Sequence, residues 1–292
     1  MPFVLKKYDA IKGKKIQLFL LNEVGLTMST SQKLLSKKRV FDDKGNMLQN
    51  GQTLTCEYIQ IAVFEGHSRG LKPIFQTDDF AIFDKPSGVM VHPTSRTTAY
   101  TLLDEIRYHF GDDANLAHRI DAETSGLVLV TKNKYADIIL KTMFEEKQYS
   151  KEYLAVVKGK LENNITIDKP ISKSNGMIGV KMTTSNENGK HSVTHIEVLE
   201  YNEKNNTTLV KAKPITGRQH QIRVHLDSIG YAILGDPIYG VDEVFANRYL
   251  RKNLIGDDRI KITGASRLML QANNLKFDYK DIKYNLYSKQ KL

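Results

Sequence analysis

A short apolar run that does not alternate limits what this chain can fold into more than any other feature. Leu127-Val128-Leu129-Val130 follows the turn Thr124-Ser125-Gly126, and a β-branched run entered through such a turn reads as a buried strand. Directly before the turn stand His118-Arg119-Ile120-Asp121-Ala122-Glu123. A lone acid that follows two cationic or potentially cationic side chains and precedes a buried strand is a carboxylate held at the edge of a core. Asp121 is therefore the first candidate for chemistry. A surface turn with an incidental ion pair has the same composition, so other stretches must decide.

The chain has 292 residues, enough for about two domains, and a formal charge of +10 with pI near 9.3. That balance suits a polyanion, nucleic acid before an anionic membrane. Cys56 is the single cysteine and cannot close an internal disulfide. No Cys and His spacing suits zinc, and His220 and His225 are five apart rather than four, so no metal is expected. Leu18 to Leu21 is one apolar turn, far short of a membrane span, and the start carries no secretory core. A cytoplasmic, soluble monomer without membrane contact is expected.

Lys15 to about Arg39 has helical spacing, with Ile16, Phe19, Leu20, Leu34 and Leu35 as apolar anchors and Ser29 or Thr30 placed to cap a second helix. A turn at Asp43 to Asn46 and a strand over Leu54 to Ile61 follow. The second helix carries Lys33, Lys37 and Lys38, with Arg39 after it, a row suited to tracking phosphates. Residues 1–65 form a small basic module, 66–75 a glycine-bearing linker and 76–292 the main domain.

In the main domain, Phe80 to Phe83 reads as a strand ending at Asp84-Lys85-Pro86-Ser87-Gly88, with a short strand over Val89 to Val91. Lys85 reads as an exposed loop lysine within reach of a phosphate. A helix over Thr101 to Phe110 places Leu102, Leu103 and Ile106 inward, and a helix over Lys134 to Lys147 has Ile138, Ile139 and Met143 on its apolar side. Lys151 to Gly159 alternates, which puts Tyr153, Ala155 and Val157 on one strand face. Asn163 to Lys190 reads as a long loop with a short hairpin. Thr216-Gly217-Arg218-Gln219-His220-Gln221-Ile222-Arg223 predicts a helix over Gln219 to Ile229, capped near Thr216, with His220 and Arg223 on one face and Arg218 near its start. Arg267 to Ala272 reads as a late strand, and the tail beyond Tyr279 as frayed.

Together these stretches resemble the RluA-type pseudouridine synthases. His118 to Leu127 resembles that family's aspartate motif, Asp84 to Pro93 its upstream motif and Lys151 to Gly159 its tyrosine strand. Thr216 to Leu226 with Gly235-Asp236 and Tyr239-Gly240 resembles its arginine motif, and Leu270-Gln271-Ala272 its closing strand. The likeness covers roughly residues 75 to 280, with Ala122 where a basic residue is usual and Gln271 where histidine is common. Residues 1–65 resemble, weakly, the alpha-L RNA-binding module. The resemblance implies an isomerase acting on uridines in structured RNA, ribosomal RNA ahead of transfer RNA. Asp121, Tyr153 and Arg223 would be catalytic, and Arg119, His118, Arg218, His220 and Lys85 would contact substrate.

That reaction breaks the bond from the base nitrogen to the sugar, turns the base and rejoins it through carbon. No redox or energy input is needed, so no cofactor is expected. One carboxylate can attack the sugar or remove a sugar proton, and the residues do not choose between the two. Arg223 is the expected partner of Asp121, since an arginine within a few ångströms lowers a carboxylate pKa by about one to three units. Tyr153 would stack on the flipped base and Arg119 would fill its gap. The alternatives are an inactive RNA-binding or ribosome-assembly protein, a glycoside hydrolase using Glu123 as second carboxylate, and a serine hydrolase at Ser125. The expected fold is α+β, with a mostly antiparallel mixed sheet and flanking helices.

Overall fold

A computed structural model describes residues 3–95, 98–254 and 257–292. Two compact units divide the chain, residues 1–69 with 93–109 and residues 70–92 with 110–292.

In the first unit β1 (Phe3–Asp9) leads to α1 (Ile16–Asn22), α2 (Met28–Ser36), β2 (Val40–Phe41) and β3 (Tyr58–Phe64). The strands form an antiparallel sheet with β3 in the middle. Ile16, Phe19 and Leu20 on α1, and Ser31, Leu34 and Leu35 on α2, recur at i, i+3 and i+4, so each helix turns one stripe onto Val40, Leu54, Ile59 and Ile61. Thr27, rather than Ser29 or Thr30, caps α2 by accepting from the Thr30 N–H at 3.2 Å. β3 begins four residues later than the strand expected from Leu54, and Cys56 is buried. Lys33, Lys37 and Lys38 are exposed, while the Arg39 guanidinium lies 4.5 Å from the Phe3 ring centre.

Residues 66–69 are not a bare linker. The Arg69 N–H donates to Glu105 Oε1 at 2.6 Å, His67 Nδ1 is 3.2 Å from Asp104 Oδ1, and a Cβ on Gly66 would lie 2.4 Å from the Asp104 carbonyl oxygen. These contacts gather most of the helix at 102–110 into the first unit.

The elements that follow are β4 (Pro73–Gln76), β5 (Phe80–Lys85), α3 (Leu102–Phe110), β6 (Asn115–Leu116), β7 (Ser125–Thr131), α4 (Lys134–Glu145), β8 (Tyr149–Lys158), β9 (Ile165–Asp168), β10 (Ile171–Lys173) and β11 (Met182–Thr184). Then come β12 (Val193–Asn202), β13 (Thr207–Pro214), α5 (Gln221–Asp227), α6 (Glu243–Leu250), α7 (Asp258–Thr263), β14 (Leu270–Tyr279) and β15 (Ile282–Tyr287). Ten strands of the second unit form one sheet with the path β4-β5-β7-β14-β8-β13-β12-β9, while β6 adds to β7 and β15 to β14. Among the described residues β7 and β14 run parallel, and the other neighbours in this sheet are antiparallel. The fold is therefore the mixed, mostly antiparallel α+β sheet that the strand spacing predicts.

Every residue of β7 is buried, which explains an apolar sequence that does not alternate. Leu127 and Leu129 pack with Phe80, Ile82, Leu275 and Phe277 beneath α4. The buried residues of α4 are Ala136, Leu140 and Met143, at i, i+4 and i+7; Ile138, expected inward, is exposed. Asn133 sets this phase by capping at Ala136 N–H, 2.9 Å away. α5 lays Ile222 and Leu226 on Ala155, Val157, Val210 and Ala212 of β8 and β13. Gly126 has φ 106, and a Cβ there would lie 2.3 Å from the Ala272 carbonyl oxygen, so only glycine lets β14 come alongside β7.

Residues 89–91 do not form the expected strand, and the tail does not fray. β15 pairs with β14, and the Asp84 carboxylate accepts from the Ser288 hydroxyl, the Lys289 and Gln290 N–H groups and the Gln290 amide. Among the described residues no helix is long and apolar enough to cross a membrane.

Candidate active site

Asp121 stands on the segment between β6 and β7, its neighbours held from below. The Lys85 ammonium donates to the Pro86, Val89 and Ala122 carbonyl oxygens at 3.0, 2.7 and 2.9 Å, and the Ser87 hydroxyl donates to the Glu123 carbonyl oxygen at 2.6 Å. Lys85 is 0 % exposed, so it is not the phosphate-reaching loop lysine its composition suggested. Burial pushes its pKa down to about 7 against the pull of the Glu123 and Asp121 charges. Ala122 contributes a carbonyl here, which asks nothing of its side chain.

α5 brings Arg223 to Asp121. Arg223 Nη1 lies 3.2 Å from Asp121 Oδ2, while Nε and Nη2 grip Asp236 Oδ2 and Oδ1 at 2.7 and 2.8 Å. Burial works against the arginine charge, but Asp236 and Asp121 outweigh it and hold its pKa above the ordinary range. Burial likewise works against the Asp236 charge; Arg223 and the Ile238 and Tyr239 N–H groups overcome it and keep that carboxyl below its usual value. Asp236 is the residue the sequence reading left without a role. The signal was its place in a glycine-punctuated turn, Gly235-Asp236-Pro237: a Cβ on Gly235 would lie 1.7 Å from the Arg267 carbonyl oxygen, so this turn is packed tightly against the chain leading into β14.

The expected helix from Gln219 is shorter and starts at Gln221. His220 precedes it at φ 56, and Gln221 does the anchoring assigned to Thr216: it accepts from the Thr216 hydroxyl and the Arg218 N–H, and donates to the Val193 carbonyl. His220 still faces the acid, with Nε2 3.8 Å from Asp121 Oδ2. Arg218 is exposed, and its Nε donates to the His191 carbonyl.

A cavity lies between these groups and β8. Asp121, Tyr153, Arg119, Arg218, His220 and Arg223 line it, joined by Tyr149 and Lys151 from β8. Its internal volume is about 140 Å³, and it opens to solvent. Tyr153 is driven up by burial and by the Asp121 charge, so its hydroxyl stays protonated. Lys151, which the sequence reading missed, sits 4.4 Å from the Phe144 ring centre and 4.9 Å from that of Tyr149, and burial pushes it down to about 7. Its alternation with Tyr149 and Tyr153 was the available signal. Arg119 is exposed, with Nη1 3.2 Å from His92 Nε2.

His118 does not line the cavity. Its Nε2 accepts from the Leu129 N–H at 3.1 Å, its ring packs 4.6 Å from Phe144, and burial first, then the Lys151 charge, lowers its pKa well below 6.5. Glu123 is spent on Tyr249 and Arg259, and the Ser125 hydroxyl points to the Leu270 carbonyl, which disfavours both hydrolase readings. Gln271 donates to Ser288 Oγ and the Gln290 carbonyl, binding the tail. Among the described residues no group of His, Cys, Asp and Glu could hold a metal.

A carboxylate beside a fixed arginine, on a cavity lined by tyrosines and cations and carried by a large mixed sheet, is suited to nucleophilic or acid–base chemistry. Residues 79–228 match the family described as RNA pseudouridylate synthase. An uncharacterized RNA pseudouridine synthase of Helicobacter pylori J99 is 35% identical, over 99% of this chain and 96% of its own. The ribosomal large subunit pseudouridine synthase C of Haemophilus ducreyi is 30% identical over 93% of this chain and 86% of its own. A mitochondrial tRNA pseudouridine(32) synthase of Saccharomyces cerevisiae is 37% identical over 62% of this chain and 39% of its own. The chain belongs to the RNA pseudouridine synthase family, and is an isomerase of the RluA type.

Proposed function

We propose that this enzyme isomerises specific uridines in ribosomal RNA with Asp121 as the carboxylate that acts on the sugar. The observation that carries this is the placement of Asp121 on the cavity wall beside Arg223, whose other donors are fixed by Asp236. An ionised carboxylate with a positioned counter-charge suits either attack on the sugar carbon or removal of a sugar proton. In either case the glycosidic electrons pass to the uracil ring, the freed base turns within the cavity, and its carbon rejoins the sugar. The proton on that carbon must leave. Tyr153 offers a ring for the base to stack on, Arg119 stands exposed at the cavity to occupy the vacated stack, and Arg218 is placed for a phosphate.

The exposed Lys33, Lys37 and Lys38, with Arg39 behind them, support a role for the N-terminal residues in gripping RNA phosphates. A large-subunit relative and a transfer RNA relative leave two substrate classes to compare. The test is pseudouridine mapping after incubation with unmodified large-subunit ribosomal RNA and, separately, unmodified transfer RNA. Site-specific conversion in the ribosomal RNA is expected; conversion confined to transfer RNA would overturn the substrate, and none in either would overturn the proposal.

A further inference from the structure

His220 and Tyr239 form a relay whose proton positions follow from counting donors. The Tyr239 hydroxyl oxygen accepts from the Met182 N–H at 2.9 Å and lies 2.9 Å from His220 Nδ1. A phenol has one proton, and among the described residues His220 Nδ1 is the acceptor within its reach. A neutral imidazole that accepts at Nδ1 carries its proton on Nε2. That nitrogen is 3.8 Å from Asp121 Oδ2, the same oxygen that Arg223 Nη1 addresses at 3.2 Å. The other tautomer would aim Nδ1–H at an oxygen already accepting from Met182, leave the phenol proton without an acceptor, and turn an imidazole lone pair on a carboxylate.

We infer that His220 is a positioning residue: with its tautomer set by Tyr239, it joins Arg223 in holding Asp121 Oδ2, so that Oδ1 is the oxygen that reacts with the sugar. The inference rests on the role proposed for Asp121 and adds which of its oxygens acts and what orients it. The 3.8 Å separation is longer than a hydrogen bond, as contacts of this kind often are before substrate closes the site. Two further observations agree. His220 is held at φ 56, a left-handed conformation uncommon outside glycine, next to the proposed chemistry. The ring also stays neutral: burial, then the Arg223 charge, lowers its pKa, outweighing Asp121 and Asp236.

The test uses the full chain with ¹⁵N-labelled histidine, reading the His220 tautomer by NMR, and single-turnover pseudouridine formation. Wild type is expected to show a proton on Nε2, and Tyr239→Phe a mixture of tautomers with a rate about ten- to a hundredfold lower and unchanged RNA affinity. The side-chain amide nitrogen of His220→Gln takes the place of Nε2, and that of His220→Asn the place of Nδ1. His220→Gln is therefore expected within about tenfold of wild type and His220→Asn about a hundredfold below it. Asparagine suits the left-handed backbone better than glutamine, so a purely structural role predicts the opposite order. A proton on Nδ1 in wild type, or His220→Asn as fast as His220→Gln, would overturn the inference. The tautomer measurement needs no turnover: an Nε2 proton in a protein that converts no uridine would support the relay and count against the proposed function instead.

Discussion

Arg223 closes a two-pronged pair on Asp236, 2 % and 0 % exposed respectively, and has Nη1 left for Asp121. The pair fixes the plane of the guanidinium, and with it the direction from which Asp121 is approached. Removing one partner of a buried pair costs about 3–5 kcal/mol, because the other charge is stranded. Asp236→Ala should lose about that much stability in urea unfolding and most of the turnover; an unchanged unfolding midpoint would show that Arg223 is anchored by other groups.

Lys85 gives a prediction opposite to the one its sequence context invites. Its three donors serve three carbonyls, two in its own turn and one beside Asp121. Lys85→Met removes these donors: the Ala122 oxygen keeps the Gly88 N–H, while the Pro86 and Val89 oxygens lose a partner at up to about 1–3 kcal/mol each. Stability and turnover should fall together while RNA affinity, measured on the folded fraction, stays within about threefold, a difference below about 1 kcal/mol. A large loss of affinity without loss of stability would restore the phosphate-contact reading.

Acidification should weaken the fold through its buried histidines. His118, His220 and His225 all have folded pKa values below the unfolded 6.5, with burial the leading cause in each. Below pH 6.5 the unfolded chain then binds more protons than the folded one, so their contribution is fully present above that pH and is lost as pH falls. Each histidine adds a slope of at most about 1.4 kcal/mol per pH unit. Unfolding free energies between pH 7 and 5 should show this loss, and His118→Gln, whose amide oxygen can accept from Leu129 N–H, should remove one histidine's share. An identical slope in the variant would mean that His118 titrates normally.

Much of this site was legible because its chemistry is crowded into contiguous words. The Asp121 turn, the Tyr153 strand and the Arg223 segment each carry a local pattern, and the sheet class followed from short turns between strands. The partners that fix those residues come from far along the chain. Asp236 is 13 residues from Arg223 and Asp121 is 102. Composition also misplaced Lys85 and His118, since a lysine in a Pro and Gly turn and a histidine beside an arginine look solvated until the strands they serve are present. The phase of α4 was set by the Asn133 cap rather than by the most apolar residues, and Ile138 was left outside. The tail carries no local sign of order because its anchor, Asp84, lies some 200 residues away.

The N-terminal lysines carry a salt-dependent prediction. Each phosphate contact contributes a slope of about 0.9 to the fall of log affinity with log salt on duplex nucleic acid, and about 0.7 on single strands. Replacing Lys33, Lys37 and Lys38 together by alanine should therefore flatten that slope by about two to three and weaken binding at low salt, with little change in single-turnover rate at saturating RNA. An unchanged slope would assign these exposed lysines to solvation alone.

Asp121→Asn tests the proposed chemistry most directly. The amide keeps the shape of the side chain and loses its charge and basicity, so what the transition state needs is removed and little that RNA binding needs. The measurement is single-turnover pseudouridine formation on an RNA that the wild-type protein modifies. No detectable product from a variant that folds and binds that RNA normally is the expected result; a rate within about tenfold of wild type, a barrier change of only about 1.4 kcal/mol, would contradict a catalytic role for Asp121.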